Sequence, residues 1–372
     1  MATRLAKFEF QQGFHRETTA YAEGQRWFDG NYVRFRAGRP ENMRGYETRA
    51  SGATFDGSAR DLLTWSDSDS KKRAIFGTPD KLYVNEGDVI YDITPITTAV
   101  TLANVFGTSS GSTRVCCSDA AHGRAVGDYV LFTSSAAFNA VSLQGNTYQV
   151  VSVDSANVFT ISVTDAANAT GSDAGSATFN YYIPTGSSIA AAGLGYGAAR
   201  YQATVCASQT RAWNQPASAG SSGIVFDITQ WSLDNWGEDV VANRKGSNIF
   251  YFDSDASVLP TRATSVTTSP INSNSIIVSP NDRHLVCLGT NEYAATATVS
   301  GTFNPMLVRW SDQDDRTNWV PSISSTAGEV VLTDGTEIVG AVRSKNAINI
   351  WTDNSLWLME FAGPPFTFRF TQ

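Results

Sequence analysis

The run LVRWSDQDDRTNWVP at 307–321, a short Ser/Thr/Gly connection, and EVVLTDGTEIVGAVRSKNAINIWTDNSLWLMEF at 329–361 decide the fold. Within it, IVGAVRS, AINIWTD and SLWLMEF are apolar runs of strand length, separated by Asp, Asn, Gly and Ser turn signals. The turns are short, which favours antiparallel neighbours. A single sheet of this kind cannot bury both faces, so it needs further sheets beside it.

The rest of the chain offers them. Residues 60–94 hold DLLTW, RAIFGT, KLYVNE and DVIYDIT, four short strands with tight turns, which is the usual content of one propeller blade. A second unit carries IVFDITQW (224–231) and SNIFYFD (247–253). A third carries SIIVSP, RHLVCLGT, YAATATVSGT and MLVRWSD across 275–312, and the fourth closes with FTFRFTQ at 366–372. FGTPDKLYV (76–84), LGTNEYAAT (288–296) and WTDNSLWLM (351–359) echo one another as strand, polar turn and aromatic strand, and read as structural repeats at irregular spacing. Residues 96–186 are poor in charge, with HGRAVGDYVLF, GNTYQVVSV and VFTISV as strands of a small barrel or sandwich inserted between blades. The expected organisation is an extended N-terminal segment (1–58), a first blade (59–95), the insert (96–186) and the remaining blades (187–372).

Composition agrees with an all-β chain. The 372 residues include 20 Phe, 13 Tyr and 9 Trp, types that favour strands, and no long run has a helical period. Lys plus Arg number 27 against 35 Asp plus Glu, a net charge of −8, which argues against tight nucleic-acid binding but not against a wall that DNA slides past. No segment approaches the roughly 18 apolar residues of a membrane span, and MATRLAKFEFQQGF lacks the apolar core of a secretory signal. Cys116, Cys117, Cys206 and Cys287 show no paired spacing and read as free thiols in a reducing cytoplasm.

Four residues mark a structural hairpin: Trp310, Asp312, Asp314 and Trp319. DQDDRTNW (312–319) partly matches the Asp-box hairpin, with Asp314 and Trp319 in register and Asp312 in place of the usual hydroxyl residue. The expectation is that Asp314 accepts backbone N–H bonds while Trp319 packs beneath. Calcium on Asp312, Asp314 and Asp315 is the alternative, but the glycine and distal glutamate of a calcium loop are missing. GLGYGA (193–198) fits the loose dinucleotide pattern without its strand–helix context, and reads as a connection. The three histidines lie far apart, and no metal, cofactor or nucleophile motif is present, so neither catalysis nor a cofactor is expected. NYVRFRAG (31–38) alternates, placing Arg34 and Arg36 on one face before Gly-Arg-Pro breaks the strand. With Arg39 and Arg44 they form a basic cluster with two uses open: a solvated strand face, or a contact with carboxylates of a neighbouring subunit or an adaptor.

The N-terminal run resembles the start of tail nozzle (tail hub) proteins of short-tailed bacteriophages, the tail tubular protein B or packaged-DNA stabilisation group. The resemblance rests on Trp27, Asp29, Asn31, Val33-Arg34-Phe35, Gly38 and Pro40, and extends to 310–340 and 351–372. It implies an incomplete β-propeller-like body of about four antiparallel blades with the inserted barrel. It further implies a homo-oligomeric ring of six below the head–tail adaptor, tail fibres or a plug nearby, and viral genomic DNA passing through the bore. The place would be the virion tail, assembled in the host cytoplasm, with host envelope as a further contact. Such proteins usually continue past Gly-Pro-Pro-Phe (363–366), so closure of the blades would come from further sequence or another chain. The alternatives are a carbohydrate-binding or carbohydrate-active propeller, and a receptor-binding tail component.

Overall fold

A computed structural model describes residues 11–16, 19, 21, 26–43, 54–183, 230–255, 259–294, 301–363 and 366–372. Among them the regular structure is all β, with no helix. The chain divides into two compact units, Met1–Gly52 and Ala53–Gln372.

In the first unit, β1 (Gln11–Phe14) pairs in parallel with β2 (Arg26–Trp27), and β3 (Val33–Arg36) forms a hairpin with β4 (Arg39–Asn42). The expected break at Gly-Arg-Pro does not occur. Ala37 and Gly38 make a two-residue turn with φ of 48° and 78°, both left-handed as a tight hairpin requires. Pro40 is tolerated opposite Phe35 because the pair belongs to a two-stranded ribbon, all edge. Phe14 packs edge-on against Phe35 at 5.3 Å.

The second unit is antiparallel throughout. Sheet one is β5 (Asp61–Ser66), β6 (Lys72–Gly77), β7 (Leu82–Glu86) and β8 (Val89–Asp92). A closed barrel follows: β9 (Val100–Thr108), β10 (Arg114–Ser118), β11 (Tyr129–Ser135), β12 (Thr147–Ser155), β13 (Val158–Ser162) and β14 (Gly171–Tyr181). Sheet two is β15 (Trp231–Trp236), β16 (Asp239–Arg244), β17 (Ile249–Phe252) and β18 (Thr264–Ser265). Sheet three is β19 (Ser273–Val278), β20 (Leu285–Asn291), β21 (Phe303–Trp310) and β22 (Gly328–Val331). Sheet four is β23 (Ile338–Arg343), β24 (Ala347–Thr352), β25 (Leu356–Gly363) and β26 (Thr367–Thr371).

Each four-stranded sheet is a meander in chain order, the content of a propeller blade. Consecutive sheets share apolar layers. Ile75 and Val84 of sheet one pack with Trp231, Val240 and Phe250 of sheet two. Val241 and Ile249 pack with Ile276, Leu285 and Cys287 of sheet three. Val286, Val308 and Trp310 pack with Ile348, Ile350 and Phe368 of sheet four. Two of the three sequence echoes, at 76–84 and 351–359, fall at one place in their sheets, the hairpin joining second and third strands; in the third the expected turn, Gly289-Thr290, lies inside β20 instead. In sheet one the Thr78 hydroxyl accepts the Lys81 N–H at 2.9 Å, and in sheet four the Thr352 hydroxyl accepts the Ser355 N–H at 2.8 Å.

The barrel is filled by its own side chains, with Phe132, Phe159 and Phe179 fully buried and Phe106 stacked on Phe138 at 4.3 Å. Three of its six strands, β9, β10 and β14, were not among the strands expected for the insert. The fourth strand of sheet three is also unexpected: Gly328–Val331 returns to β21 after the Asp-rich loop, instead of opening sheet four. Cys117 and Cys287 are free and buried, but Cys116 is disulfide-bonded, which corrects the expectation of free thiols at that position. Arg44, Cys206, the GLGYGA run and residues 224–229 of IVFDITQW lie outside the described residues.

Sheets one and two meet where the Trp231 ring lies on the bare backbone of Gly77. A Cβ there would sit 2.3 Å from Trp231 Cγ, and the indole N–H donates to the Thr78 carbonyl at 2.8 Å. Gly77→Ala must therefore displace a buried ring, at a loss of about 2–3 kcal/mol. Urea unfolding should show a lowered midpoint with an unchanged slope; an unchanged midpoint would mean that Trp231 does not seat there.

Candidate functional site

The loop joining β21 to β22 is built around Asp312. Its Oδ1 accepts the Thr326 hydroxyl at 2.6 Å, the Thr326 N–H at 2.8 Å and the Gln313 N–H at 3.0 Å. Its Oδ2 accepts the Asn318 amide at 3.0 Å. Burial pulls this carboxyl upward, but the bonds from Thr326, Gln313 and Asn318 outweigh burial and hold it below its ordinary 3.8. Trp319 is 1% exposed and packs with Trp236 and Val241, its N–H donating to the Arg316 carbonyl at 2.8 Å. Trp310 lies in the layer between sheets three and four, and its N–H donates to the Thr326 carbonyl at 2.8 Å.

The expected hairpin is present, with a different anchor. Asp314, at φ 57°, turns outward to Arg283. Asp315 accepts the Thr317 N–H at 2.8 Å and its hydroxyl at 2.6 Å. The three carboxylates thus serve three separate partners. Among the described residues no group of His, Cys, Asp and Glu is placed to hold a metal ion.

Arg34 pairs with Glu41 across its own hairpin at 3.1 Å, so the carboxylate facing it belongs to the same chain. Arg36 stands directly opposite Arg39 beside the turn, a like-charge pairing that costs stability unless an anion shares it.

Sequence spacing did not reveal how the sheets are joined. Among the described residues, the first strand of each four-stranded sheet is an edge whose outward N–H groups lack a ladder partner. Ser232 and Asp234, two apart on β15, reach the N–H groups of Ile276 and Val278, two apart on β19, at 3.2 and 2.7 Å. The Ser232 hydroxyl donates to the Ile276 carbonyl at 2.8 Å. One sheet earlier, the Asp61 carboxylate of β5 accepts the Leu233 N–H. From sheet four, Arg343 donates to Asp234 at 2.8 Å. Burial pushes the Asp234 carboxyl up, against Val278, Arg343 and Asn235, which pull it down.

At one end of the barrel an open cleft of about 370 Å³ is lined by Leu102, Asn104, Val105, Asp119, Asn157 and Val158. Asp119 there accepts the Tyr181 hydroxyl at 2.6 Å. No known family matches the chain, and no curated protein matches it. Among solved structures, the phage phi92 endosialidase aligns at TM-score 0.22 and 16% identity, over 92% of this chain and 45% of that one. A likeness this loose bears no functional argument.

Asp312→Ala removes the acceptor of the Thr326 N–H and hydroxyl and should cost about 2 kcal/mol, whereas Asp314→Ala, at an exposed ion pair, should cost under about 1 kcal/mol. Equal losses would return the anchor to Asp314. A carboxyl held below its unfolded value contributes stability above that value and loses it as pH falls through the folded one. Acidification below pH 3.8 should therefore weaken the wild type more steeply than Asp312→Asn.

Proposed function

We propose that the chain is a structural component of a phage tail and, more finely, a nozzle or hub subunit that assembles as a ring of six and conducts the viral genome. Its partners are then other copies of itself, an adaptor ring, and fibres or a plug. The observation that supports this most is the chain of bonds linking the first strands of four consecutive sheets, from Asp61 through Asp234 to Arg343. Such cross-links suit a wall whose task is to hold its dimensions under load. The N-terminal resemblance supplies the tail assignment.

The net charge of −8 suits a conduit, because each Lys or Arg contact with phosphate adds a cost to release of the strand. The reading is non-enzymatic. In its support, the Asp282, His284 and Thr326 array, the arrangement closest to a catalytic relay among the described residues, is sealed: His284 is 0% exposed.

A second reading, a tail component that binds host-surface glycan, is favoured by the barrel cleft with Asn104, Asp119 and Asn157 at its rim. Light scattering and negative-stain imaging of the purified chain separate the two. The nozzle reading predicts six-fold rings with an open bore, populated more with rising concentration. A monomer at all concentrations that binds immobilised glycan would overturn it and favour the second.

A further inference from the structure

The barrel is closed by β9 and β10, yet that seam is short. β9 has 9 residues, and its pairs with β10 are Phe106–Cys117, Gly107–Cys116 and Thr108–Val115. Two local devices part the strands beyond Phe106–Cys117. On β9, the three steps from Ala103 to Phe106 lie against the two from Ser176 to Ala174 on β14, and Asn104 takes φ 58°. This is a bulge, which bends its strand. On the other side, the chain leaving β10 is drawn to the β12–β13 turn. The Asp119 N–H donates to the Asn157 carbonyl and the Ala121 N–H to the Asn157 side chain, both at 2.9 Å. The open cleft of about 370 Å³ is the gap that results, with Leu102–Val105 on one wall and Ser118, Asp119 and Ala120 on the other.

Both walls are lengths of strand-like backbone. Among the described residues no ladder pair or turn bond joins 102–105 to 118–120. Alternate residues of an antiparallel strand turn their N–H and C=O to the same side, so β9 presents unpaired groups along the gap. Ala103 and Asn104 are exposed, so these groups are within reach of another chain. A closed barrel ordinarily leaves no edge, and an open edge is a template for a further strand. We infer that the cleft is a strand-addition site, which takes an extended segment of a separate partner protein that pairs with Leu102–Val105 and completes the seam.

The lining states the chemistry of that segment. Leu102 and Val158 offer an apolar seat for a small aliphatic side chain. Asp119 is the charged residue of the lining. One of its oxygens accepts the Tyr181 hydroxyl at 2.6 Å, and the other is left for a Lys or Arg of the incoming strand. The chain itself carries a net charge of −8, so a basic strand fits a different protein better than a second copy. No lining residue is aromatic, so a sugar ring finds no face to stack on, and the free backbone edge favours a peptide over a glycan. The inference concerns the barrel alone. It adds a partner to the nozzle reading and does not rest on the ring.

Hydrogen–deuterium exchange of the full chain tests it, with and without the capped synthetic peptide Thr-Lys-Val-Thr-Val-Lys-Thr. The expected result is exchange slowed about tenfold at 102–105 and 118–120 when the peptide saturates. The same peptide with its backbone amides N-methylated cannot join a ladder, and should bind about tenfold more weakly or worse. Asp119→Asn keeps an acceptor for the Tyr181 hydroxyl and should erase the preference for this peptide over its counterpart with Glu in place of Lys. Equal binding of the N-methylated peptide, protection confined to other segments, or no binding of any peptide overturns the proposal. So does protection of the same segments by maltohexaose in place of peptide. Should Asp119→Asn fail to fold, the comparison of the two backbones on the wild type decides alone.

Discussion

An edge strand inside a protein has a problem that its own sheet cannot solve. Every second N–H and C=O points away from the ladder, and burial without a partner costs on the order of 1–3 kcal/mol per group. In this chain the first strand of each meander is such an edge, turned towards the neighbouring sheet. The solution is side chains at spacing two. Ser232 and Asp234 on β15 fill Ile276 and Val278 on β19, and Asp61 on β5 fills Leu233. The period of the strand is the period of the zipper. Apolar layers behind these strands supply the bulk of the stabilisation, as Trp231 on Gly77 and Phe368 beside Trp310 illustrate.

The cross-links set register more than they add energy. Burial pushes the Asp234 carboxyl up in spite of its donors, so its ionised form is not comfortable there. A buried charge of that kind is weak evidence for stability and better evidence for specificity. One residue of slip between β15 and β19 would face Leu233 or Asn235 towards the donors in place of Ser232 and Asp234, and strand the Val278 N–H. Arg343 extends the arrangement to a third sheet, joining Asp234 at 2.8 Å and the Val278 carbonyl at 3.4 Å. Asp312 does the corresponding task in the connection between β21 and β22, where a long loop must return to β21.

Local patterns were legible in the sequence and distant pairings were not. The Thr-turn echoes at 76–84 and 351–359 mark equivalent hairpins because Thr78 and Thr352 each fold a hydroxyl back onto the turn, a purely local device. The DQDDRTNW loop was recognisable, and Trp319 is buried beneath it, but the anchoring carboxylate is Asp312. Its decisive partner, Thr326, is fourteen residues on and outside any local spacing. Gly-Arg-Pro read as a break, although Ala37-Gly38 is the turn and Arg39-Pro40 continue the hairpin. In the barrel, β14 is written GSDAGSATFNY, whose small residues and bulges conceal its alternation. The zipper pairs residues 44 apart, so nothing near Asp234 announces Val278.

The account stands or falls on the first-strand zipper holding the sheets as one cooperative body. Native-state hydrogen exchange, residue by residue, on wild type and Asp234→Ala tests this directly. The account predicts that Val278 loses protection and that sheets three and four exchange at lower free energy than sheet one, where wild type shows one common value. Unchanged protection at Val278, with all four sheets still opening together in the variant, would contradict it.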